Sequence, residues 1–322
     1  MSFGVSNPQR TYPMTLDASP FAIAGHFAPL SREEAAVILD VCSRYGQVVV
    51  CITGADCAPS TQTPWSAGER EAMIRAVLGP LAERVTFHHV RDRRYRSDLA
   101  SKSAVETVAM ESLPDIAAPI RAAFLREGPG GVRDLVPEAV LAWLQAFAST
   151  PAFAHLHAEQ VYIDDYRKSW AVSPYPPILV TVDAVIEHGD HVLLVKRGGQ
   201  PGRGQWALPG GFLNDDETLL AAAVREVREE TGLDLAPEAI AQHLLGSQVF
   251  DDPKRSARGR TLTHAYHFRF SQGEVPKVEA ADDAEEAVWV PVATLERLRD
   301  QIFEDHGDIL NAFGLTTSAG DM

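Results

Sequence analysis

Cysteine is scarce in this chain: among 322 residues there are three, Cys42, Cys51 and Cys57. They are odd in number and confined to one region, which argues against a disulfide framework or a zinc site. A reducing cytoplasm is the expected compartment. No apolar run approaches the roughly 20 residues of a membrane span. The opening MSFGVSNPQRTYPMTLDASP lacks the basic start and apolar stretch of a secretory signal. Positive charge is also short, with 29 Lys+Arg against 44 Asp+Glu and a formal net charge of -15. Nucleic acid is therefore a poor main partner, because phosphate backbones need basic surfaces. Neither internal repeats nor low-complexity segments occur.

What is present is a globular composition, 45% hydrophobic and 23% charged, with length for about two domains at roughly 150 residues each. The acidity is uneven. Residues 1–172 hold 16 Lys+Arg against 19 Asp+Glu, and residues 173–322 hold 13 against 25. The second excess suits a site that gathers divalent cations, or is simply a solvated acidic surface. Between the halves, SWAVSPYPPILVTVDAVI carries Pro174, Pro176 and Pro177, which interrupt helices and central strands. The expected domains are thus residues 1–172 and 173–322.

In the first half, FAIAGHF, QVVVCITGA and VTFHHV read as short buried parallel strands. SREEAAVILDVCSRY and SAGEREAMIRAVLGPLAER are the helices between them, and VPEAVLAWLQAFAST is a helical tail into the linker. This alternation predicts an α/β fold with a doubly wound parallel sheet, the general nucleotide-binding architecture. In the second half, ILVTVDAVIEHGDHVLLVKR reads as a β-hairpin and Thr218–Thr231 as a helix. Strands are expected at Gly246–Phe250, Thr261–Phe270 and Ala287–Val290, and helices around Val292–Arg299 and His306–Phe313. Such an order suggests a layered α/β or α+β sandwich.

The most specific stretch is GGFLNDDETLLAAAVREVREETGL. From Gly211 it fills every fixed position of G-x5-E-x7-R-E-U-x-E-E-x-G-U, with U aliphatic: Glu217, Arg225, Glu226, Val227, Glu229, Glu230, Gly232 and Leu233. It plainly resembles the Nudix box. The spacing has its own physical reading, since Glu226, Glu229 and Glu230 at i, i+3 and i+4 share one face of a helix. Their mutual repulsion calls for a counter-cation. Hard oxygen donors in a row select Mg2+ or Mn2+, which keep open positions for substrate phosphates. The expected metal set is Gly210, Glu226, Glu229 and Glu230, with Glu229 also counted as catalytic. By resemblance, Arg225 steadies a catalytic glutamate through a charge-assisted hydrogen bond. Glu217 is either a further ligand or a structural partner, and Gly210, Gly211 and Gly232 permit tight loops.

Two further segments bear on substrate. FDDPKRSARGRTLTHAYHF puts Lys254, Arg255, Arg258 and Arg260 in a loop of an otherwise acidic half. Arg255, Arg258 and Arg260 are candidates to grip a diphosphate, the alternative being an ordinary soluble loop. FEDHGD supplies Glu304, Asp305 and His306, among which Glu304 is the candidate general base. The alternative there is an acidic helix start. Trp206 reads as core or as a stacking surface.

The resemblance extends over nearly the whole chain, to the family that fuses a nicotinamide-mononucleotide adenylyltransferase to a Nudix ADP-ribose pyrophosphatase. It implies a nucleotidyltransferase-like domain followed by a Nudix α/β/α sandwich. It also implies ADP-ribose or a related nucleoside diphosphate sugar as substrate, with AMP and ribose 5-phosphate as products, and allows a homodimer. The first half departs from that family's motifs. In place of G-R-F-x-P and a nearby (H/T)-x-G-H signature stands GHFAPLSREEAAVI, with His26 for the arginine and Glu34 where a histidine would bind phosphate. The I-S-x-T-x-I-R motif has become IAAPIR, keeping Arg121 but replacing hydroxyls by Ala117 and Pro119. RYRSDLASKS stands where the family carries a tryptophan after N-D. These losses argue for a fold without adenylyl transfer. The competing expectations are a still bifunctional enzyme and a non-catalytic sensor of an NAD-derived nucleotide.

Overall fold

The computed structural model describes residues 21–91, 110–233, 236–270 and 275–315; RYRSDLASKS lies outside them. The first half contains β1 (Phe21–Gly25), α1 (Arg32–Arg44), β2 (Val48–Thr53), α2 (Ala67–Leu78), β3 (Val85–Val90) and β4 (Met110–Ser112). The four strands form one parallel sheet in the order β3-β2-β1-β4, the arrangement the alternating pattern predicts. Ile23, Val48, Val50 and Ile52 are buried, as strands covered by helices require. Both crossover helices open with a capping box: Ser31 with Glu34, and Ser66 with Glu69. Helices α3 (Ala118–Glu127), α4 (Glu138–Phe147) and α5 (Pro151–Ser169) follow. Trp65 lies 5.9 Å from Phe124 and 5.7 Å from Phe147, an aromatic cluster at the heart of this half.

Helix α5 corrects the expectation of a helical tail running directly into a linker. It spans 19 residues. Thr150 caps it by accepting the Phe153 N–H at 3.2 Å, and Pro151 supplies the φ of a first helical residue. The start signal was therefore present in SerThrPro at 149–151.

The second half holds β5 (Leu179–His188), β6 (His191–Arg197), β7 (Trp206–Ala207), β8 (Gly210–Phe212), α6 (Leu219–Thr231), α7 (Pro237–Ala241), β9 (Leu244–Phe250), β10 (Thr261–Phe270), β11 (Ala284–Pro291) and α8 (His306–Ala312). Val292–Gln301 forms a 3-10 helix rather than the expected α-helix. The sheet runs β11-β6-β5-β10-β9. Ala222, Ala223 and Val227 of α6 pack on one face against Val182, Ile186 and Phe268. On the other, Ile309 and Leu310 of α8 pack against Val185, Leu194 and Phe250. Each such fully buried large aliphatic contributes about 1.5–3 kcal/mol. The result is a helix–sheet–helix sandwich.

The predicted hairpin pairs only beside its turn, at Glu187↔Val192 and His188↔His191. Beyond that the strands diverge: β5 pairs with β8 and β6 with β7. This split admits the Gly210–Phe212 strand into the sheet and brings it under α6.

Candidate active site

Helix α6 begins where the Thr218 hydroxyl accepts the Ala221 N–H. Its 3.6-residue period turns Glu226 and Glu230 onto strand β8 while Glu229 stays at the solvent edge. The Gly210 N–H donates to Glu230 Oε2 at 2.9 Å. Gly211 lies so close to Glu226 that a Cβ there would sit 2.4 Å from its Oε1. A Cβ on Gly210 would meet Val182 O at 2.2 Å, so backbone must move to accept one. Gly210→Ala is expected to destabilise the chain by about 1–3 kcal/mol through overpacking, measured as a lower urea midpoint with an unchanged m-value.

Arg225 is the cation of this cluster. Its Nη2 donates to Glu217 Oε1 at 2.7 Å and to Phe212 O at 3.2 Å. Its Nη1 donates to Glu226 Oε1 at 2.9 Å and Glu229 Oε2 at 2.8 Å. Glu217, also held by the Asn214 N–H, is therefore the structural partner of Arg225. Burial pushes the Glu230 carboxyl up to about 9, with Asp283 and Glu226 adding repulsion and the Gly210 N–H opposing it. Burial raises Glu226 in the same direction, against the pull of Arg225. Asp283 was missed in the sequence because it stands in AADDAEE, an acidic run that reads as solvated surface.

Among the described residues, no three His, Cys, Asp or Glu side chains already converge as a metal-binding group. The donor set nevertheless fits a hard divalent ion. It consists of carboxylate oxygens, two of them buried, packed against a glycine strand with no side chain in between.

The basic loop and FEDHGD meet beside this strand. Arg255, 3% exposed, makes paired hydrogen bonds to Asp305, each 2.9 Å, through Nε and Nη2. It lies 3.8 Å from Asp183, which accepts the Thr263 hydroxyl at 2.6 Å. His306 Nδ1 accepts the Leu208 N–H at 2.9 Å, which leaves the proton of a neutral ring on Nε2. Burial lowers its pKa, so the ring is a neutral tether for the loop before Gly210. Arg258 lies over the Phe212 ring, 5.2 Å from its centroid, and bonds Ser256. Arg260 donates to Asp251 O. Glu304, half-buried, has its carboxyl raised by burial, an effect that Arg258 and Arg255 oppose. Trp206 packs against the core on the α8 side of the sheet and receives the Phe303 N–H on its carbonyl. Arg197 also escaped the sequence reading, as a strand end before Gly-Gly. It stacks 4.3 Å over Phe303 and lies within the electrostatic reach of Glu304, Asp283 and Glu230.

In the first half, the loops after β1 and β2 are tied internally. Fully buried Arg70 donates to the carbonyls of His26, Thr53 and Gly54 at 2.6–2.8 Å. Arg121 donates to Ala28 O and pairs with Asp115 at 2.9 Å. Glu34 accepts from both the N–H and the hydroxyl of Ser31. His26 sits 3.3 Å from the Thr63 hydroxyl. Burial, helped by Arg121 and Arg70, pushes it down to about 3, so it is neutral.

Residues 177–313 match the NUDIX domain model. An ADP-ribose pyrophosphatase of Methanocaldococcus jannaschii is 38% identical over 130 residues, 39% of this chain and 72% of that protein. An ADPR responsive transcriptional repressor NtrR of Acinetobacter baylyi is 33% identical over 164 residues, 48% of this chain and 58% of the repressor. The crystal structure of a bifunctional NMN adenylyltransferase/ADP ribose pyrophosphatase from Francisella tularensis superposes with a TM-score of 0.82 at 26% identity. It covers 92% of this chain and 98% of that one. With an intact box on α6 and a parallel nucleotidyltransferase-like sheet before it, the chain belongs to the Nudix family, in the group that couples this hydrolase domain to an NMN adenylyltransferase fold.

Proposed function

We propose that the chain hydrolyses the diphosphate of ADP-ribose, or of a closely related nucleoside diphosphate sugar, to AMP and ribose 5-phosphate. The carrying observation is the pairing of Glu226 and Glu230 with the Gly210–Gly211 strand under an Arg225 that also reaches Glu229. Supporting it are the relatives that cleave ADP-ribose. The ligands are Gly210, through its backbone, with Glu226, Glu229 and Glu230. Bound there, Mg2+ or Mn2+ would polarise the diphosphate and lower the pKa of a water. Arg225 orients the carboxylates as charge-assisted hydrogen bonds do. Arg258 and Arg260, in the loop beside Phe212, meet the substrate's phosphates, while Arg255 holds Asp305 at the pocket wall. Glu304, at the pocket beside the basic loop, takes the proton of the attacking water.

The first half, residues 1–172, is read as a fold without adenylyl transfer. Glu34 is locked in a capping box, Arg121 is already neutralised by Asp115, and His26 is uncharged. A cytoplasmic location is part of this reading, and the free thiols of Cys42, Cys51 and Cys57 suit it. No described helix is long and apolar enough to cross a membrane.

The test is a product assay with ADP-ribose, Mg2+ or Mn2+, and chelator. AMP and ribose 5-phosphate that disappear on chelation support the reading. Turnover of another diphosphate alone replaces the substrate. Binding without any turnover supports the second reading, a nucleotide sensor, which the likeness to the ADPR responsive repressor favours.

A further inference from the structure

Glu159 lies on α5 of the first half but makes its contacts across both halves. The residue is 2% exposed. Oε1 accepts the Thr61 N–H at 3.1 Å, and Oε2 accepts the Gly202 N–H at 2.8 Å. Gln205, in the same turn as Gly202, donates Nε2 to Pro59 O at 2.7 Å. The turn is seated directly on an aromatic ring. Gly202 has φ +75°, and a Cβ there would stand 2.2 Å from Phe303. Arg197, whose Nε bonds Pro201 O at 2.9 Å, stacks on the same ring. The next residue, Glu304, holds φ +43°, a left-handed conformation that costs a non-glycine residue about 1–3 kcal/mol and persists only where its surroundings enforce it. Gln62, Thr63 and Glu159 from the first half, with Gly202, Phe303 and Glu304 from the second, line one pocket between the halves.

We infer that Glu159 is a positioning residue for the hydrolase site: by clamping the 201–205 turn onto Phe303, it fixes the direction in which Glu304 is presented. The inference rests on the role assigned to Glu304 above. It gives the N-terminal half a part in hydrolysis that needs no adenylyl transfer. Two N–H donors converge on this carboxylate, so an amide in its place must turn its own NH2 toward one of them. That loses one hydrogen bond and sets donor against donor.

The test is a double-mutant cycle on the full chain with ADP-ribose and Mg2+. Glu159→Gln is expected to lower kcat about tenfold with KM changed less than about threefold, because misplacing a reacting group acts on the chemical step. In a Glu304→Gln background the same substitution should change kcat less than about twofold, since the group it positions has been removed. An equal loss in both backgrounds overturns the inference, as does an unchanged kcat in Glu159→Gln or full turnover by Glu304→Gln. Should Glu159→Gln yield too little folded protein, Gln205→Ala takes its place. It removes a bond of the same turn without touching a buried charge, and about a threefold drop with the same dependence on Glu304 is expected. A wild type inert on ADP-ribose and on other diphosphates overturns the hydrolase reading, whereas an active wild type with unaffected variants overturns only the positioning role.

Discussion

Glu230→Gln should lower ADP-ribose turnover about a thousandfold or more while making the metal-free chain more stable at pH 8. The first effect follows from losing one anionic donor of the metal set; a thousandfold is about 4 kcal/mol of transition-state stabilisation. The second follows from linkage. Folding raises the Glu230 carboxyl from its ordinary value to about 9, chiefly by burial. Between those two values the folded chain holds a proton that the unfolded chain has released. The stability this group contributes is thus complete at acid pH and is lost as pH rises toward 9. Gln has no proton to lose, so the advantage of the variant should grow with pH, reaching on the order of 3 kcal/mol at neutrality and more toward pH 9. Urea denaturation in chelator at pH 5, 7 and 9 measures it. A variant whose stability relative to wild type does not depend on pH would show that Glu230 is ionised in the free protein. Retained turnover would remove it from the metal set.

Arg225→Ala should lower kcat about a hundredfold, with Arg225→Lys recovering only part of the loss. The guanidinium bonds Glu217, Glu226, Glu229 and Phe212 O at once. A lysine ammonium has no planar fork with which to span these groups. Without Arg225, Glu226 and Glu229 repel across one turn of α6, and Glu226, 8% exposed, loses its cation. Metal should therefore raise the melting temperature of Arg225→Ala more than that of wild type, because it replaces missing positive charge as well as binding its site. Differential scanning calorimetry with and without Mg2+ reads this directly. A smaller shift in the variant would mean that Arg225 is needed to shape the metal set rather than to balance it. Lys activity equal to wild type would reduce the role of Arg225 to simple charge.

Locally determined features were legible in the residue order. Thr261–Phe270 is a strand over the span its alternation predicts, and α6 lies within one residue of its expected start. Other local signals also stand in the residue order. Ser31-x-x-Glu34 is a capping box, so the anion that disrupts the nucleotidyltransferase signature also starts α1. Thr150-Pro151 similarly announces α5. The hairpin was correctly placed, yet its strands separate beyond the turn because β5 and β6 each accept a further short strand. No pattern within ILVTVDAVIEHGDHVLLVKR could reveal that competition.

By itself, the sequence determined the Nudix helix and its three glutamates, because residues at i, i+3 and i+4 share a face whatever lies around them. It also determined the alternation of β1, α1, β2, α2 and β3 in the first half, and the erosion of the nucleotidyltransferase motifs. Tertiary structure alone decided what those groups do electrostatically. Glu230 is held neutral by burial beside Asp283, 53 positions away in the chain. Asp305 and His306 are turned inward by Arg255 and Leu208, leaving Glu304 at the pocket. Glu159 gains its role only because α5 packs against a turn more than 40 residues later. Spacing along a helix is a property of the chain, whereas desolvation and opposed charges depend on which distant segments fold against it.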